Sequence, residues 1–213
     1  MEIIEDEAII LNKQDKGANV ILTLFSRNYG KINAIIYGIR KSKKREQAAL
    51  MPTSISEFEF KEINGSYTVE NAILKKQYKN CMKNIYKLQM SLYIVHVLSE
   101  IVTYEYGDKD LYNINCEILE YINNLDEETL DSKFTLYIYI TYLRRIMINL
   151  GIFDIDILFK NTNLLKEYDM YVKYGKNRDN IEIIDLKRIL IYFERYINNY
   201  FGINIDHKKI YIE

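Results

Sequence analysis

Apolar residues change their spacing near residue 78. Before it, short apolar runs are broken by Gly, Asn and charged residues. EAIILNKQ (7–14), NVILTLFS (19–26), GKINAIIYG (30–38), SISEFEF (54–60) and SYTVENAIL (66–74) read as five strands. NVILTLFS is apolar on both faces, as expected inside a small barrel. Asn64-Gly65 suits the left-handed angles of a tight hairpin turn between the last two strands. Five short antiparallel strands can close on themselves and hide their edges. Strand count alone admits an OB-fold barrel or an SH3-like one.

Beyond residue 78 the period is helical. Ile85, Leu88, Leu92, Val95, Ser99 and Val102 fall on one face. DLYNINCEILEYINNL (110–125) is a second helix, with Asp110 placed to cap it. FTLYIYITYLRRIMINLG (134–151) is apolar nearly all round, which predicts a buried central helix ending at Gly151. DIDILFKNTNLLKEY (154–168) reads as one shorter helix. DLKRILIYFERYINNYFG (185–202) puts Leu186, Ile189, Leu190, Phe193, Ile197 and Phe201 on one face, starting at Asp185 and stopping at Gly202. Between the last two, alternating apolar residues flank Gly175-Lys176-Asn177 and predict a small hairpin near 168–184. The expected fold is therefore α+β: a five-stranded barrel over 1–77, then an α-helical domain over 78–213. No internal repeat, low-complexity segment or flexible linker is evident.

Composition narrows the function classes. With 213 residues, 48% apolar and 28% charged, the chain can bury about 70% of its unfolded surface without a disulfide or metal. No apolar run approaches the ~20 residues of a membrane span. The acidic start MEIIEDEAII is unlike a signal or transit peptide, so a cytoplasmic protein is expected. Cys81 and Cys116 are isolated in sequence and read as reduced thiols. Ile, Asn, Lys and Tyr are abundant, Pro occurs once and Trp not at all. That is the bias of an A- and T-rich genome, and it makes the 20 tyrosines weak evidence for base stacking.

Charge is distributed unevenly. The net charge of −1 combines 13 Lys/Arg against 10 Asp/Glu in residues 1–80 with 16 against 20 in 81–213. Within 12–50 the count is 9 against 2. Arg40, Lys41, Lys43, Lys44 and Arg45 follow the third strand directly. Lys13, Lys16, Arg27 and Lys31 lie on or beside the neighbouring strands and turns. These nine are the candidate DNA-binding residues, because a basic face on a small barrel can follow a phosphate backbone. A solvated surface loop is the competing reading of the basic stretch. Phe25, Tyr29 and Tyr37 are candidate base stackers or core residues. Arg144 and Arg145 interrupt the most apolar helix. Either they reach outward or pair with a carboxylate, or they form a basic lip beside an apolar groove, suited to an acidic peptide with a terminal carboxylate.

Catalytic patterns are sparse. There is no phosphate-binding Gly-rich loop, nucleophile elbow, H-E-x-x-H or C-x-x-C. His96 lies beside an apolar helix face and reads as structural, and His207 sits in a C-terminal DHKK. GDKD (107–110) and DIDI (154–157) read better as caps and solvated loops than as metal ligands. The expectation is a non-enzymatic protein with no cofactor and no metal.

Several short motifs, in order along the chain, resemble the RecO family of bacterial DNA recombination and repair mediators. They are Glu7-Ala8-Ile9-Ile10-Leu11, Leu22-Thr23-Leu24-Phe25-Ser26, Gly30-Lys31, Gly38-Ile39-Arg40-Lys41 and Pro52, then INLGIFDID and the final YFGINIDHKKIYI. The resemblance implies an OB-fold followed by helices. It implies a nucleoid-associated protein that binds single- and double-stranded DNA, anneals complementary strands and partners RecR. With RecR it would help load RecA onto strands covered by single-stranded-DNA-binding protein, whose acidic C-terminal tail docks on the helical domain. Many relatives carry a four-cysteine zinc site after the "LG…LD" segment, but residues 154–184 hold no cysteine. A protein–protein adaptor with a decayed DNA site is therefore the alternative expectation.

Overall fold

The structure, a computed structural model, describes residues 3–38, 47–63, 66–104, 106–160, 162–174 and 180–210. Five strands, β1 (Ile3–Lys16), β2 (Asn19–Ser26), β3 (Gly30–Ile36), β4 (Ile55–Ile63) and β5 (Ser66–Lys76), form a closed barrel in the order β1-β2-β3-β5-β4. All neighbours are antiparallel except β3 and β5, which pair in parallel at Ala34–Tyr67 and Ile35–Thr68. This is the OB-fold order, which decides between the two barrels that strand count admits.

Alternation explains the closure. Ala8 and Ile10, Val20, Leu22 and Leu24, Ile32, Ala34 and Ile36, Phe58 and Phe60, and Val69 and Ala72 all point inward. Ala49 and Leu50, in a 3-10 turn over Gln47–Leu50, fill one end. β1 is long because it serves two partners. Its first half pairs with β4 and its second with β2, and the register slips between Ile10 and Asn12. Such a bulge bends a strand and increases its twist, which lets one strand belong to both sides of a barrel.

Helices follow: α1 (Ile85–Ile101), α2 (Lys109–Asn123), α3 (Ser132–Asn149), α4 (Ile155–Phe159), α5 (Leu165–Tyr174) and α6 (Ile183–Phe201). Contacts divide the chain into a barrel unit, residues 1–79 with 101–120, and a helical unit, residues 80–100 with 121–213. The boundary expected at 77/78 is thus incomplete, since the residues after α1 and most of α2 belong with the barrel. Tyr112 of α2 explains this. It is 2% exposed, its ring lies 5.9 Å from that of Phe25, and its hydroxyl donates to Glu7 at 2.9 Å.

Within the helical unit, α3 buries ten residues, as its apolar sequence predicts. It ends in a Schellman turn: Ile152 N–H bonds Met147 C=O, Gly151 N–H bonds Ile148 C=O, and Gly151 has φ +70°. α6 starts at Ile183, two residues before the expected Asp185, and is closed by Gly202 at φ 67°. The cap of α2 is Asp108, which accepts from Leu111 N–H at 2.8 Å, and not Asp110. The single helix expected over 154–168 is two, α4 and α5.

The hairpin expected near 168–184 is also corrected. Residues 165–174 are helical because Tyr168 and Tyr171, one turn apart, bury the same face at 2% and 4% exposure. Tyr171 and Thr141 share a 2.7 Å hydrogen bond that ties α5 to α3. Gly175-Lys176-Asn177 and Asn64-Gly65 lie outside the described residues.

Candidate nucleic-acid interface

The β1–β2 hairpin and the β2–β3 turn lie at opposite ends of β2, roughly 20 Å apart along the strand. That separation divides the expected basic residues. Lys13, half-buried, faces Leu22 in register, and exposed Lys16 faces Asn19 at the hairpin end. Gly38, at φ +63°, donates its N–H to the Asn19 side chain at 3.2 Å. Arg40, Lys41, Lys43, Lys44 and Arg45 follow Gly38 closely in the sequence. Those five residues lie outside the described ones.

Arg27 and Lys31 belong to the other end. The turn between them is built around Asp6, a carboxylate only 6% exposed. Asp6 accepts from the Ser26 hydroxyl, from Asn28 N–H at 2.9 Å and from the Asn28 amide at 2.6 Å. Ser26 Oγ in turn accepts from Tyr29 N–H at 3.2 Å. Arg27 is exposed at the edge of a hollow of about 440 Å³ whose lining includes Glu7, Lys75, Tyr112, Cys116 and Glu117. Burial pushes the Cys116 thiol up to about 11, so it is protonated at neutral pH.

On the outer face of β3 lies a groove of about 240 Å³ lined by Tyr29, Lys31, Asn33, Glu62, Tyr67 and Tyr104. Tyr104 reaches it from the connection after α1. Thr103, Tyr104 and Tyr106 form a strap against the start of β3: Lys31 N–H bonds Thr103 C=O at 2.9 Å, Tyr104 bridges Gly30 and Lys31, and the Tyr106 carbonyl lies over Gly30. Only glycine fits beneath that strap: a Cβ on Gly30 would stand 2.4 Å from the Tyr106 carbonyl oxygen. Asn33 donates to the Tyr104 hydroxyl at 2.9 Å while accepting from Thr23 at 3.0 Å. The Lys31 ammonium lies 5.5 Å from the centre of the Tyr104 ring.

Of the three candidate stackers, Phe25 is fully buried, packed on Tyr112, and so is core. Tyr29 and Tyr37 are 39% and 58% exposed. Tyr104 was not legible as a site residue. It sits at the end of a helical pattern, and only the tertiary strap brings it to β3.

In the helical unit, Arg144 and Arg145 are both half-buried on α3. The Arg144 guanidinium lies 5.5 Å from the Phe153 ring centre, a cation–π contact within the unit. His207 is buried at 5% exposure, with Nδ1 2.9 Å from Glu194 Oε2. Burial holds His96 below the ordinary imidazole range. Asp154 caps α4, accepting from Asp156 and Ile157 N–H at 2.9 and 3.1 Å. Among the described residues, no helix is long and apolar enough to cross a membrane.

A closed barrel in this strand order, followed by helices, defines an OB-fold protein with a helical second unit. Residues 1–78 match the family described as recombination protein O, N terminal. Through this domain the chain is similar to the RecO family. It is 30% identical over 134 residues to the DNA repair protein RecO of Caldanaerobacter subterraneus subsp. tengcongensis, covering 61% of this chain and 53% of that protein. To RecO of a Thermoanaerobacter species it is 29% identical over 113 residues, covering 53% and 46%. The chain thus spans about half the length of these curated relatives. An aspartyl tRNA synthetase structure from Entamoeba histolytica covers 98% of the chain at 13% identity and a TM-score of 0.28, too loose a superposition to bear on the fold.

Proposed function

We propose that this protein is a non-enzymatic, DNA-binding recombination mediator acting in DNA repair. The observation that carries the reading is the RecO-family match of residues 1–78 on a barrel closed in the OB order. Lys13 and Lys16 support it, because they lie on the hairpin whose Asn19 bonds Gly38, two residues before Arg40 in the sequence. By this reading the protein anneals complementary single strands at the nucleoid. With RecR it assists loading of RecA onto strands covered by single-stranded-DNA-binding protein. The acidic tail of that protein would meet Arg145 and the exposed Ile148, which stand one helical turn apart on α3.

The test is fluorescence anisotropy of a labelled single-stranded oligonucleotide across a salt series, with wild type and a Lys41→Glu, Lys43→Glu, Lys44→Glu variant. Wild type should bind with a steep salt slope, losing about 0.7 from the log–log slope for each phosphate contact removed. The variant should keep wild-type thermal stability, since surface changes usually stay within about 0.5 kcal/mol each. Absence of binding at low salt would overturn the reading in favour of a protein–protein adaptor.

A further inference from the structure

The groove on β3 has features that a phosphate-tracking surface does not need. Three tyrosines and one asparagine converge on it, and Tyr104 keeps 52% of its surface exposed. An exposed aromatic ring gains little from packing, yet this one is fixed by a backbone bridge and a relay from Thr23 through Asn33 to its hydroxyl. Fixing a side chain in advance removes the entropy that a ligand would otherwise have to offset. At about 240 Å³, the groove is smaller than the roughly 300 Å³ at which drug-sized pockets begin. It suits one planar heterocycle.

Charge within the groove is mixed and directional. Lys31 lies against the Tyr104 ring, whereas Glu62 lines the groove with a carboxylate. A carboxylate repels phosphate and accepts hydrogen bonds from an exocyclic amino group. Base first, phosphate outside beside Lys31, is the orientation these charges favour.

We infer that this groove is a subsite for a single unpaired nucleobase, stacked on Tyr104 with its amino edge toward Asn33 and Glu62. The inference rests on the proposed DNA-binding function and adds what separates single strands from duplex. A base inside a duplex is already stacked on both faces, so the groove contributes to single-strand binding alone. Stacking on an aromatic side chain is among the larger sequence-tolerant terms in single-strand recognition.

The experiment compares wild type with Tyr104→Leu, Tyr104→Phe and Tyr29→Leu, each checked for wild-type unfolding temperature. The probes are a single-stranded oligonucleotide carrying one 2-aminopurine, whose fluorescence stacking quenches, and a duplex of the same length. Wild type should quench the probe. Tyr104→Leu should lose the quenching and weaken single-strand binding about tenfold or more while leaving duplex binding unchanged. Tyr104→Phe, which keeps the ring, should retain the quenching. If Tyr104→Leu destabilises the fold, Tyr29→Leu, at a second lining tyrosine, carries the same test. Equal loss of single-strand and duplex binding, or no loss of either, overturns the subsite. Wild type that binds neither probe instead overturns the DNA-binding reading beneath it.

Discussion

Gly107 rests against the backbone of Asn28, so closely that a Cβ would fall 2.3 Å from the Asn28 carbonyl oxygen. Asn28 cannot yield easily, because Asp6 holds it by both its N–H and its side chain. Gly107→Ala should therefore destabilise the protein by about 1–3 kcal/mol through overpacking. Urea unfolding measures this. An unchanged midpoint would mean that Gly107 does not sit on the β2–β3 turn as described.

The two ends of the barrel should respond differently to charge removal. Lys13→Ala and Lys16→Ala should each lower the salt slope of single-strand binding by about 0.7 if each meets a phosphate. Arg27→Ala should leave the slope unchanged, because Arg27 opens onto a hollow in which Glu7, Glu117 and Glu120 balance Lys75, Lys76 and Arg27 itself. A larger effect at Arg27 than at Lys16 would move the phosphate track to the other end.

Cys116 supplies a pH test. Desolvation is the largest cause of its raised pKa, with the charge of Glu7 acting in the same direction. The neutral thiol is the form the fold prefers. Its contribution to stability is complete below the ordinary thiol range near pH 8.5, and it is lost as pH rises through about 11. Alkylation by a maleimide or disulfide reagent should be slow at pH 8 and accelerate steeply above pH 10. Cys81, at 1% exposure, should contribute little to the signal. Rapid labelling of Cys116 at neutral pH would contradict its raised pKa.

Glu194 ties the C-terminal residues to the helical unit. At 5% exposure, it accepts from the Tyr93 hydroxyl at 2.9 Å and from His207 N–H at 2.8 Å, and it faces His207 Nδ1. Ring contact between Tyr93 and Tyr139, at 3.9 Å, fixes the donor. His207→Ala strips one carboxylate oxygen of its imidazole partner in a place water reaches poorly. The expected cost is about 1.5–3 kcal/mol, a drop of roughly 3–12 °C in Tm for a chain of this size. A shift under one degree would show that the pairing is dispensable.

The strands were legible because alternation and turn residues coincide, and the helices because long apolar faces recur at helical spacing. What escaped was set by distant partners. Parallel pairing of Ala34 with Tyr67 has no signature in either strand's own pattern. Tyr168 and Tyr171 belong to a helix, but the intervening Met170 and the following Val172 and Tyr174 mimic alternation, so local pattern favoured a hairpin. Asp108 and Asp110 are equivalent as caps until geometry selects one. At the candidate interface, Lys13, Lys16, Arg27 and Lys31 were visible as charges, but their division between two ends of β2 was not. Tyr104 was hidden for a similar reason, being a groove residue only because Gly30 admits the strap.

Among the described residues, β3 and β5 pair at two positions, and the strap carrying Tyr104 covers the start of β3. A polypeptide ending at residue 78 would retain all five strands yet leave Gly30 and Lys31 without their backbone partners. It would present an open strand edge to other copies, the setting in which small β proteins self-associate. The stretch matched by the family, residues 1–78, and the compact barrel unit, residues 1–79 with 101–120, are therefore different stretches of this chain, and the second runs past Gly107.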